Sequence, residues 1–272
     1  MKLKSFWEKG NNYRQLFKHF QNPLLVVSAR LGWVNMAYCS YRIRKNGTEY
    51  TMLGRPRGGD LWILREVLAE ETYRPILKLL PPRPLRVVDI GAHIGAFTIW
   101  LHRQHDVAEA FCFEPDPDSF SLCQFNLQHN GCNNVRLNGS ALGGGTRESE
   151  IWVNPIAHAR SSLYQSRVTN PSLYGRKATN VTFQHPKVDV VALDKWLQTV
   201  QGEFDLLKMD CEGSEWEILD AAPTAFTRFS NIVAEIHDDP MGTYKREDFA
   251  VVLREYGFTT VDFSRLYIGR RS

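Results

Sequence analysis

Short apolar segments alternate with helical patterns from about residue 85 to the end of the chain. The segment LRVVDI at 85–90 is apolar enough for a buried strand, and AFTIWLHRQ follows as a helix. Strands that alternate with helices predict a parallel sheet joined by crossover helices. The predicted strands are 85–90, 108–114, 134–138, 187–191, 204–209, 231–236, 257–262 and 265–270.

The last two predicted strands, 257–262 and 265–270, are separated by only a few residues. A link this short permits an antiparallel hairpin but has no room for a crossover helix. We therefore expect an α/β fold whose sheet is mostly parallel, with one antiparallel strand near the C-terminus.

Residues 1–80 show a different pattern, which predicts an N-terminal extension of helical pieces and a hairpin. The hairpin is predicted around KNGTEY, since Asn46-Gly47 is a strong signal for a tight turn. Apolar residues then recur at helical spacing, at Leu61, Leu64, Val67 and Leu68. The proline-rich sequence at 81–84 predicts a boundary, with the core domain over 81–272.

The composition fits a folded protein with a sizeable core. The chain has 272 residues, of which 43 % are hydrophobic and 23 % charged, and these values are ordinary for globular proteins. Its five cysteines are odd in number and contain no CxxC pair, so neither a disulfide framework nor a zinc ribbon is expected. No stretch reaches the roughly 18 apolar residues of a spanning helix, and we expect a cytoplasmic location.

Charge is distributed unevenly along the chain. Residues 1–57 contain eleven Lys and Arg against Glu8 and Glu49, whereas the whole chain has a net charge of +3. A solvated face is one explanation of such an excess. The other is a contact with an anionic membrane surface, a polyanion or an acidic partner, since aromatic residues interleave with the basic ones.

A glycine-containing turn joins the first predicted strand to its helix. Glycines there allow a sharp bend and a close approach of the backbone to a nucleotide-type cofactor. Asp89 closes the strand at the carboxyl edge where ligands collect, and its carboxylate is expected to meet a ligand ammonium. The candidate cofactor residues of this segment are Asp89, Gly91, Ala92, His93 and Gly95.

The second predicted strand supplies an acidic residue at a characteristic spacing. Glu114, followed by Pro115, lies 23 positions after Gly91. A carboxylate about 20 residues beyond such a turn can accept hydrogen bonds from both hydroxyls of a ribose. The spacing is common to proteins that bind NAD and proteins that bind S-adenosyl-L-methionine (SAM), so it does not distinguish the two cofactors.

The turn itself favours a cofactor without phosphates. Its pattern is GxxxG with His93 in the middle, whereas a diphosphate on a helix N-terminus requires GxGxxG. After the third predicted strand, a loop of small and amide residues over 138–142 is placed to contact a purine edge, with Ser140 and Ala141 as candidates. An ordinary turn is the alternative interpretation of that loop.

Several motifs occur in an order that resembles one family. They are DIGAHIGAFT, FEPDP followed by NLQHNG, SALGG, RSSL at 160–163, LLKMDCEGSEWEIL and EIH. Over about residues 85 to 262 the chain resembles the FkbM family of SAM-dependent methyltransferases. The resemblance implies a Rossmann-like, seven-stranded SAM-methyltransferase sheet, SAM as the cofactor, and O-methylation of hydroxyls on sugars, glycans or natural products. The family usually has Asn where this chain has His93.

Two segments are expected to bring chemistry to the carboxyl edge of the sheet. In the first, the strand at 204–209 ends at Asp210, a candidate for both catalysis and cofactor binding. Glu212 and Glu215 are predicted on the opening turn of the next helix as further catalytic candidates. Acidic residues are also favoured there by the helix dipole, so capping is the alternative for both.

In the second segment, the strand at 231–236 delivers Glu235 and His237 to the same edge. An unperturbed histidine titrates near neutral pH and can accept a hydroxyl proton. His237 is therefore the predicted general base, with Asp210 as its orienting partner or as the base itself. Asp210, Glu235 and His237 could also ligate a divalent ion such as Mg²⁺, although a metal is not expected.

The insert over 143–186 is long for a connection, and long loops are often functional. We predict that it forms part of an acceptor site or a lid, with disorder around 166–177 as the alternative. The candidate substrate-binding residues are Arg160, Ser161, Ser162, Tyr164 and Glu235.

The leading hypothesis is an O-methyltransferase that acts on a small-molecule or glycan acceptor. An NAD-dependent oxidoreductase would share the glycine turn and Glu114, but it would require the GxGxxG pattern that this turn lacks. A non-catalytic SAM-binding protein is the third possibility. The sequence contains no nucleic-acid-binding motif that we recognise.

Overall fold

The described part of the chain comprises residues 16–155, 157–169, 182–263 and 265–272 of a computed structural model. It contains twelve strands and eight α-helices. The strands are β1 (Cys39–Lys45), β2 (Thr48–Gly54), β3 (Leu85–Ile90), β4 (Val107–Phe113), β5 (Val135–Asn138), β6 (Ala141–Gly143), β7 (Arg147–Glu150), β8 (Lys187–Ala192), β9 (Phe204–Met209), β10 (Phe229–Glu235), β11 (Phe258–Phe263) and β12 (Leu266–Arg271). The α-helices are α1 (Pro23–Leu31), α2 (Asp60–Leu64), α3 (Ala96–Gln104), α4 (Pro117–His129), α5 (Gln165–Thr169), α6 (Leu193–Thr199), α7 (Glu215–Ala221) and α8 (Asp248–Glu255).

Seven strands form one sheet in the order β11-β12-β10-β9-β3-β4-β5. The pairs β10·β9, β3·β9, β3·β4 and β4·β5 are parallel, and β12 is antiparallel to both β10 and β11. This arrangement confirms the predicted α/β fold, its mostly parallel seven-stranded sheet and its single antiparallel strand. The carboxyl ends of β3, β4, β9 and β10 therefore meet at one edge.

The prediction for 187–191 was wrong about the sheet to which that strand belongs. β8 lies in a separate three-stranded sheet, parallel to β6 and antiparallel to β7. Buried and exposed residues mostly alternate along β8, whereas all six residues of β9 are buried. A strand with one solvent-exposed face is typical of a small outer sheet. A strand buried on both faces is typical of the centre of a parallel sheet that has helices packed on both sides.

The extension contains the predicted hairpin, formed by β1 and β2 around Asn46-Gly47, both of which have positive φ. The predicted helix after it is interrupted: α2 is followed by a π-helical turn at Arg65–Ala69 and a 3-10 helix at Arg74–Lys78. The four apolar residues predicted to share a helical face are all buried. The domain boundary after residue 80 stays a prediction, because residues on both sides share one hydrophobic core.

Asn126 on α4 joins the hairpin to the core. Its Oδ1 accepts from Leu53 N at 2.7 Å, and its Nδ2 donates to the carbonyls of Leu53 and Ile94, both at 2.9 Å. The side chain is fully buried, so each of these polar groups depends on it for a partner.

Among the described residues, no helix has the length and apolar character needed to cross a membrane.

We predict that Asn126→Ala lowers the free energy of unfolding by about 2–4 kcal/mol, since it leaves the buried carbonyl of Ile94 and two partly buried backbone groups of Leu53 without their partner. Urea unfolding followed by circular dichroism measures the loss. Gln124→Ala on the exposed face of the same helix is the matched control. Equal stability of the two variants would contradict the role assigned to Asn126.

Candidate active site

A first cavity lies at the carboxyl ends of β3, β4 and β9. It is lined by apolar residues, namely Ile63, Ile90, Phe113, Pro115, Ala141, Leu142, Ile151, Ala159 and Leu163. It is also lined by Gly91, His93, Glu114, His158, Ser161, Ser162, Asp210, Cys211, Glu212 and Ser214. An apolar wall with a few converging polar groups is the usual form of a cofactor site.

Gly91 has a conformation and surroundings that only glycine tolerates. Its φ is +78°, and a Cβ at this position would collide with the carbonyl oxygen of Asp210. Lys208 Nζ donates to the Gly91 carbonyl at 2.5 Å. The ends of β3 and β9 are thereby held in contact, with Gly91 and Asp210 side by side in the cavity wall.

Asp89 does not line the first cavity, contrary to the prediction. It is fully buried, its Oδ1 lies 3.1 Å from Lys208 Nζ, and its Oδ2 accepts from Thr98 Oγ1 at 2.7 Å. Burial alone would lower the pKa of Lys208, but Asp89 and Asp210 hold that pKa above its usual value. The ammonium that Asp89 meets is therefore the protein's own, and Asp89 acts on the cavity through Lys208.

Glu114 lines the first cavity in a fixed orientation. Its Oε2 accepts from His93 N at 2.8 Å, and its Oε1 accepts from Asp116 N at 2.9 Å. Burial, reinforced by the neighbouring charge of Asp116, raises the pKa of Glu114 to about 8. The raised pKa favours the protonated acid at neutral pH, and its two oxygens retain lone pairs beyond the two backbone bonds, so the group can still accept from a ligand.

His93 connects the first cavity to the extension. Its φ is +51°, and its Nε2 lies 3.1 Å from Arg55 Nη2 and 3.3 Å from Asp60 Oδ1. Arg55 also donates to Asp60 Oδ2 through its backbone N at 2.7 Å and through Nε at 2.9 Å. Although burial would raise the pKa of Asp60, His93 and Arg55 hold it well below its usual range.

Arg55 and Asp60 were missed by the sequence analysis because they lie outside the motifs that resemble the family. The segment RPRGGD that contains them has an unusual density of charge and glycine, and this was the available signal. Asp116 and His158 extend the same cluster: Asp116 Oδ2 lies 3.9 Å from Arg55 Nη1 and 2.9 Å from His158 Nδ1.

The first cavity presents polar atoms and charges that suit a cationic ligand. His93 Nδ1 and Ser161 Oγ are buried in its wall without a hydrogen-bond partner among the described residues, and such atoms point to a ligand or water. The carboxylates of Asp210 and Glu212 line it, whereas no Lys or Arg does so in the part of the chain that the structure describes. A diphosphate would meet repulsion here, while a sulfonium and an ammonium would be attracted.

The predicted cofactor residues divide into two groups. Those that line the first cavity are Gly91, His93, Glu114, Pro115, Ala141 and Asp210. Those that do not line it are Asp89, Ala92, Gly95 and Ser140. Ala92 N donates to the Phe113 carbonyl, and Gly95 precedes α3 with φ +85°. The segment 138–142, which was predicted as a loop, is partly strand, because β5 ends at Asn138 and β6 begins at Ala141.

A second cavity of about 520 Å³ adjoins the first. It is lined by Arg30, Gly59, Trp62, Ile63, Glu66, Val67, Tyr73, Ala157, Ala159, Arg160, Arg167, Asp210, Glu212, Glu235, His237 and Arg265. The extension, the insert and the sheet edge therefore all contribute to it. The residues that line both cavities are Ile63, Ala159, Asp210 and Glu212, so two carboxylates lie at the junction.

His237 lies among three carboxylates. Its Nδ1 is 3.0 Å from Glu215 Oε1, and its Nε2 is 3.5 Å from Glu212 Oε1 and 4.0 Å from Asp210 Oδ1. Burial would lower the pKa of His237, but these carboxylates raise it to about 10. A pKa raised in this way favours the imidazolium at neutral pH, and an imidazolium does not accept a proton, so the geometry disfavours the general-base role, which stays a prediction.

Glu212 and Glu215 occupy different environments, although both were predicted on one helical turn. Glu215 begins α7 and lines neither cavity; its two oxygens accept from Cys211 N and Gly213 N, each at 2.8 Å. Glu212 precedes the helix with φ +53° and lies 3.0 Å from Arg167 Nη2. Glu215 therefore orients His237, while Glu212 faces the cavities.

The predicted substrate residues also separate. Arg160 and Glu235 line the second cavity, Ser161 and Ser162 line the first, and Tyr164 lines neither. Burial and the charge of Asp210 raise the pKa of Glu235, whose Oε1 lies 2.6 Å from Arg265 Nη2. Residues 170–181 of the insert, including part of the range for which disorder was an alternative, lie outside the described residues.

The three residues considered as metal ligands do not form a compact set. Within the described ranges, the ligand atoms close enough to share an ion belong to Asp116, Asp118 and His158. Both carboxylate oxygens of Asp116 already have protein partners. Its Oδ1 caps α4 by accepting from Asp118 N at 3.1 Å, and its Oδ2 pairs with His158.

We predict that both ring nitrogens of His237 remain protonated at about pH 8, because the pKa of this ring in the folded protein is about 10. Nitrogen NMR measures this protonation directly. In the unfolded chain a histidine has a pKa near about 6.5. The stabilising charge interaction is complete below about pH 6.5 and is lost as the pH rises through about 10.

His237→Gln should therefore destabilise the protein at neutral pH, and the difference from wild type should shrink above about pH 10. The matched control is His129→Gln at an exposed position of α4. A ring nitrogen of His237 that loses its proton near neutral pH would contradict the assigned charge state.

Comparison with known proteins agrees with this geometry. A family model described as the methyltransferase FkbM domain matches residues 89–260. Methyltransferase 1 of Beauveria bassiana (strain ARSEF 2860) is 28 % identical over 166 residues, and the match spans 56 % of this chain and only 64 % of that protein.

Two further relatives match over more of their length. The 31-O-demethyl-FK506 methyltransferase FkbM of Streptomyces tacrolimicus is 26 % identical over 223 residues, which cover 75 % of this chain and 84 % of the relative. The 2-O-methyltransferase NoeI of Sinorhizobium fredii (strain NBRC 101917 / NGR234) is 24 % identical over 205 residues, which cover 74 % and 83 % respectively.

Proposed function

The chain belongs to the FkbM family of SAM-dependent methyltransferases, and we propose that it methylates a hydroxyl oxygen of a sugar, a glycan or a related natural product. The main support is the junction of the two cavities at Asp210 and Glu212. A group transfer requires donor and acceptor to meet at one point, and a carboxylate at that point can receive the proton that the hydroxyl loses.

In this proposal the first cavity binds SAM, which supplies an electrophilic methyl group. Glu114 accepts hydrogen bonds from the ribose hydroxyls, as a carboxylate at this spacing does in related folds. His93 Nδ1 and Ser161 Oγ, two buried polar atoms of the cavity wall without a hydrogen-bond partner among the described residues, gain partners from the cofactor. The carboxylates of the cavity, with no opposing Lys or Arg among its described lining residues, favour a cation over the diphosphate of NAD.

Asp210 is the proposed general base. It follows β9 directly, it lines both cavities, and Gly91 and Lys208 fix the turn next to it. As the acceptor oxygen gains the methyl group, its hydroxyl proton moves to an Asp210 carboxylate oxygen, which is general base catalysis. The His237 ring lies 4.0 Å from Asp210 Oδ1 and 3.5 Å from Glu212 Oε1, so its positive charge offsets the charge that the two carboxylates bring to the junction.

The second cavity is proposed to bind the acceptor. Trp62 and Tyr73 provide aromatic surface in it, and Arg160 and Glu235 provide polar groups, a combination suited to molecules rich in hydroxyls. The names of two relatives refer to O-methylation, of 31-O-demethyl-FK506 in one and at a 2-O position in the other. These names support oxygen as the atom methylated by this chain.

We predict that Asp210→Asn weakens SAM binding by less than about tenfold, since Glu212 still brings charge to the junction, but lowers methyl transfer by about 10²–10⁴-fold, because the proton acceptor is lost. Glu114→Gln should instead weaken SAM binding by about 10–100-fold, since the amide places an NH₂ donor against one of the two backbone N–H groups that now donate to Glu114. Calorimetry measures affinity. Transfer is measured with isotopically labelled SAM and a cell extract that contains hydroxylated acceptors, followed by mass spectrometry.

Glu203→Gln is the matched control, because this exposed carboxylate precedes β9 at the end opposite Asp210. It should behave as wild type in both assays. Full transfer by Asp210→Asn would remove this residue from the mechanism. A label found on nitrogen or carbon, as identified by the NMR shift of the transferred methyl group, would overturn the proposed O-methylation.

A further inference from the structure

Large apolar side chains are exposed on α1 and on the segment after it. Leu24 is 72 % exposed, Leu31 48 %, Trp33 75 % and Val34 40 %; we call these four residues the α1 patch. Residues seven apart share a helical face, so Leu24 and Leu31 lie together, opposite the buried Val26 and Ala29. A folded protein leaves such a cluster exposed where it meets a partner or a lipid surface.

The chain after α1 folds back onto the last turn of the helix. Gly32 ends the helix in the left-handed conformation, and the backbone N atoms of Trp33 and Val34 both donate to the Ser28 carbonyl, at 2.9 and 3.3 Å. Trp33 and Val34 therefore lie beside the last turn of α1. Both have exposed side chains, so apolar surface continues beyond Leu31, where the helix ends.

Exposed cations border the α1 patch at both ends. Arg57 is exposed, and its guanidinium lies so close to Gly32 that a Cβ on the glycine would clash with it. At the other end, Asn22 precedes α1, accepts from Arg42 N at 3.1 Å and donates to the Ser40 carbonyl at 2.7 Å. The exposed Arg42 therefore lies near the start of the helix.

We propose that the α1 patch docks on an anionic lipid bilayer. Leucine, valine and tryptophan side chains insert at the boundary between headgroups and acyl chains, where tryptophan is favoured. Arg42 and Arg57 then face the lipid phosphates, in agreement with the excess of Lys and Arg over residues 1–57. This pairing of apolar side chains with a basic border favours a membrane over a protein partner.

Docking in this way would bring the second cavity close to the lipid. Arg30 lies on α1 itself and lines that cavity, where its Nη1 donates to the Pro56 carbonyl and its guanidinium lies 5.1 Å from the centre of the Trp62 ring. One helix thus carries both the α1 patch and part of the cavity wall. The proposal does not depend on which acceptor is methylated.

Sedimentation of the 272-residue chain with lipid vesicles tests the proposal. Wild type should bind vesicles of phosphatidylcholine with about 30 % phosphatidylserine, bind pure phosphatidylcholine at least about tenfold more weakly, and dissociate as salt is raised. The double variant Leu24→Glu/Trp33→Glu should lose at least about tenfold in affinity. Arg42→Gln and Arg57→Gln should each lose about fivefold.

The matched control is Met241→Glu/Val251→Glu, which places the same charges at apolar positions that are 79 % and 50 % exposed elsewhere on the surface. It should retain most of the vesicle binding, and both double variants should melt at the wild-type temperature, since all four side chains are exposed. Failure of wild type to bind the anionic vesicles would overturn the proposal, as would equal binding by the two double variants. A dimer seen by light scattering that only Leu24→Glu/Trp33→Glu dissociates would assign the patch to self-association instead.

Discussion

The ion pair between Asp89 and Lys208 is the constraint on which the site depends. The two residues are neighbours in register on β3 and β9, at the centre of the seven-stranded sheet, and both are almost completely buried. Removing either one would leave an uncompensated charge in the core, which is strongly unfavourable. Because Lys208 Nζ also donates to the carbonyls of Ile90 and Gly91, the pair fixes the two strand ends that carry the turn of the first cavity and Asp210.

The extension completes this site from the other side. Arg55 and Asp60 hold the ring of His93, whose backbone N in turn holds Glu114. Asn126 fastens the hairpin to α4 and to the carbonyl of Ile94 in the same turn. Residues of the extension also form much of the second cavity. The extension therefore contributes to the geometry of both cavities.

The sequence predicted the parts of the fold that depend on local pattern. Short apolar segments, a turn with glycines and a closing hairpin were sufficient for the parallel sheet with one antiparallel strand. Membership of a strand in one sheet or another depends on distant partners, which is why β8 was assigned to the wrong sheet, although the alternation in KVDVV was a signal of a one-sided strand. The positions of Gly91, Glu114 and Asp210 followed from the rule that ligands collect at the carboxyl edge.

The errors at the site concern properties that several segments create together. Asp89 ends its strand at the expected edge of the sheet, but its carboxylate forms an ion pair with Lys208, which lies on a strand more than a hundred residues later in the chain. Nothing in the sequence around His237 indicates an unusual pKa. That pKa is raised because Asp210, Glu212 and Glu215 surround the ring, and Glu212 lies in a turn with positive φ.

Calorimetric titration with S-adenosylhomocysteine and with NAD tests the central claim most directly, namely that the acidic first cavity holds a sulfur-containing cofactor without phosphates. We predict binding of S-adenosylhomocysteine that Glu114→Gln weakens and no binding of NAD; binding of NAD without binding of S-adenosylhomocysteine would contradict the account.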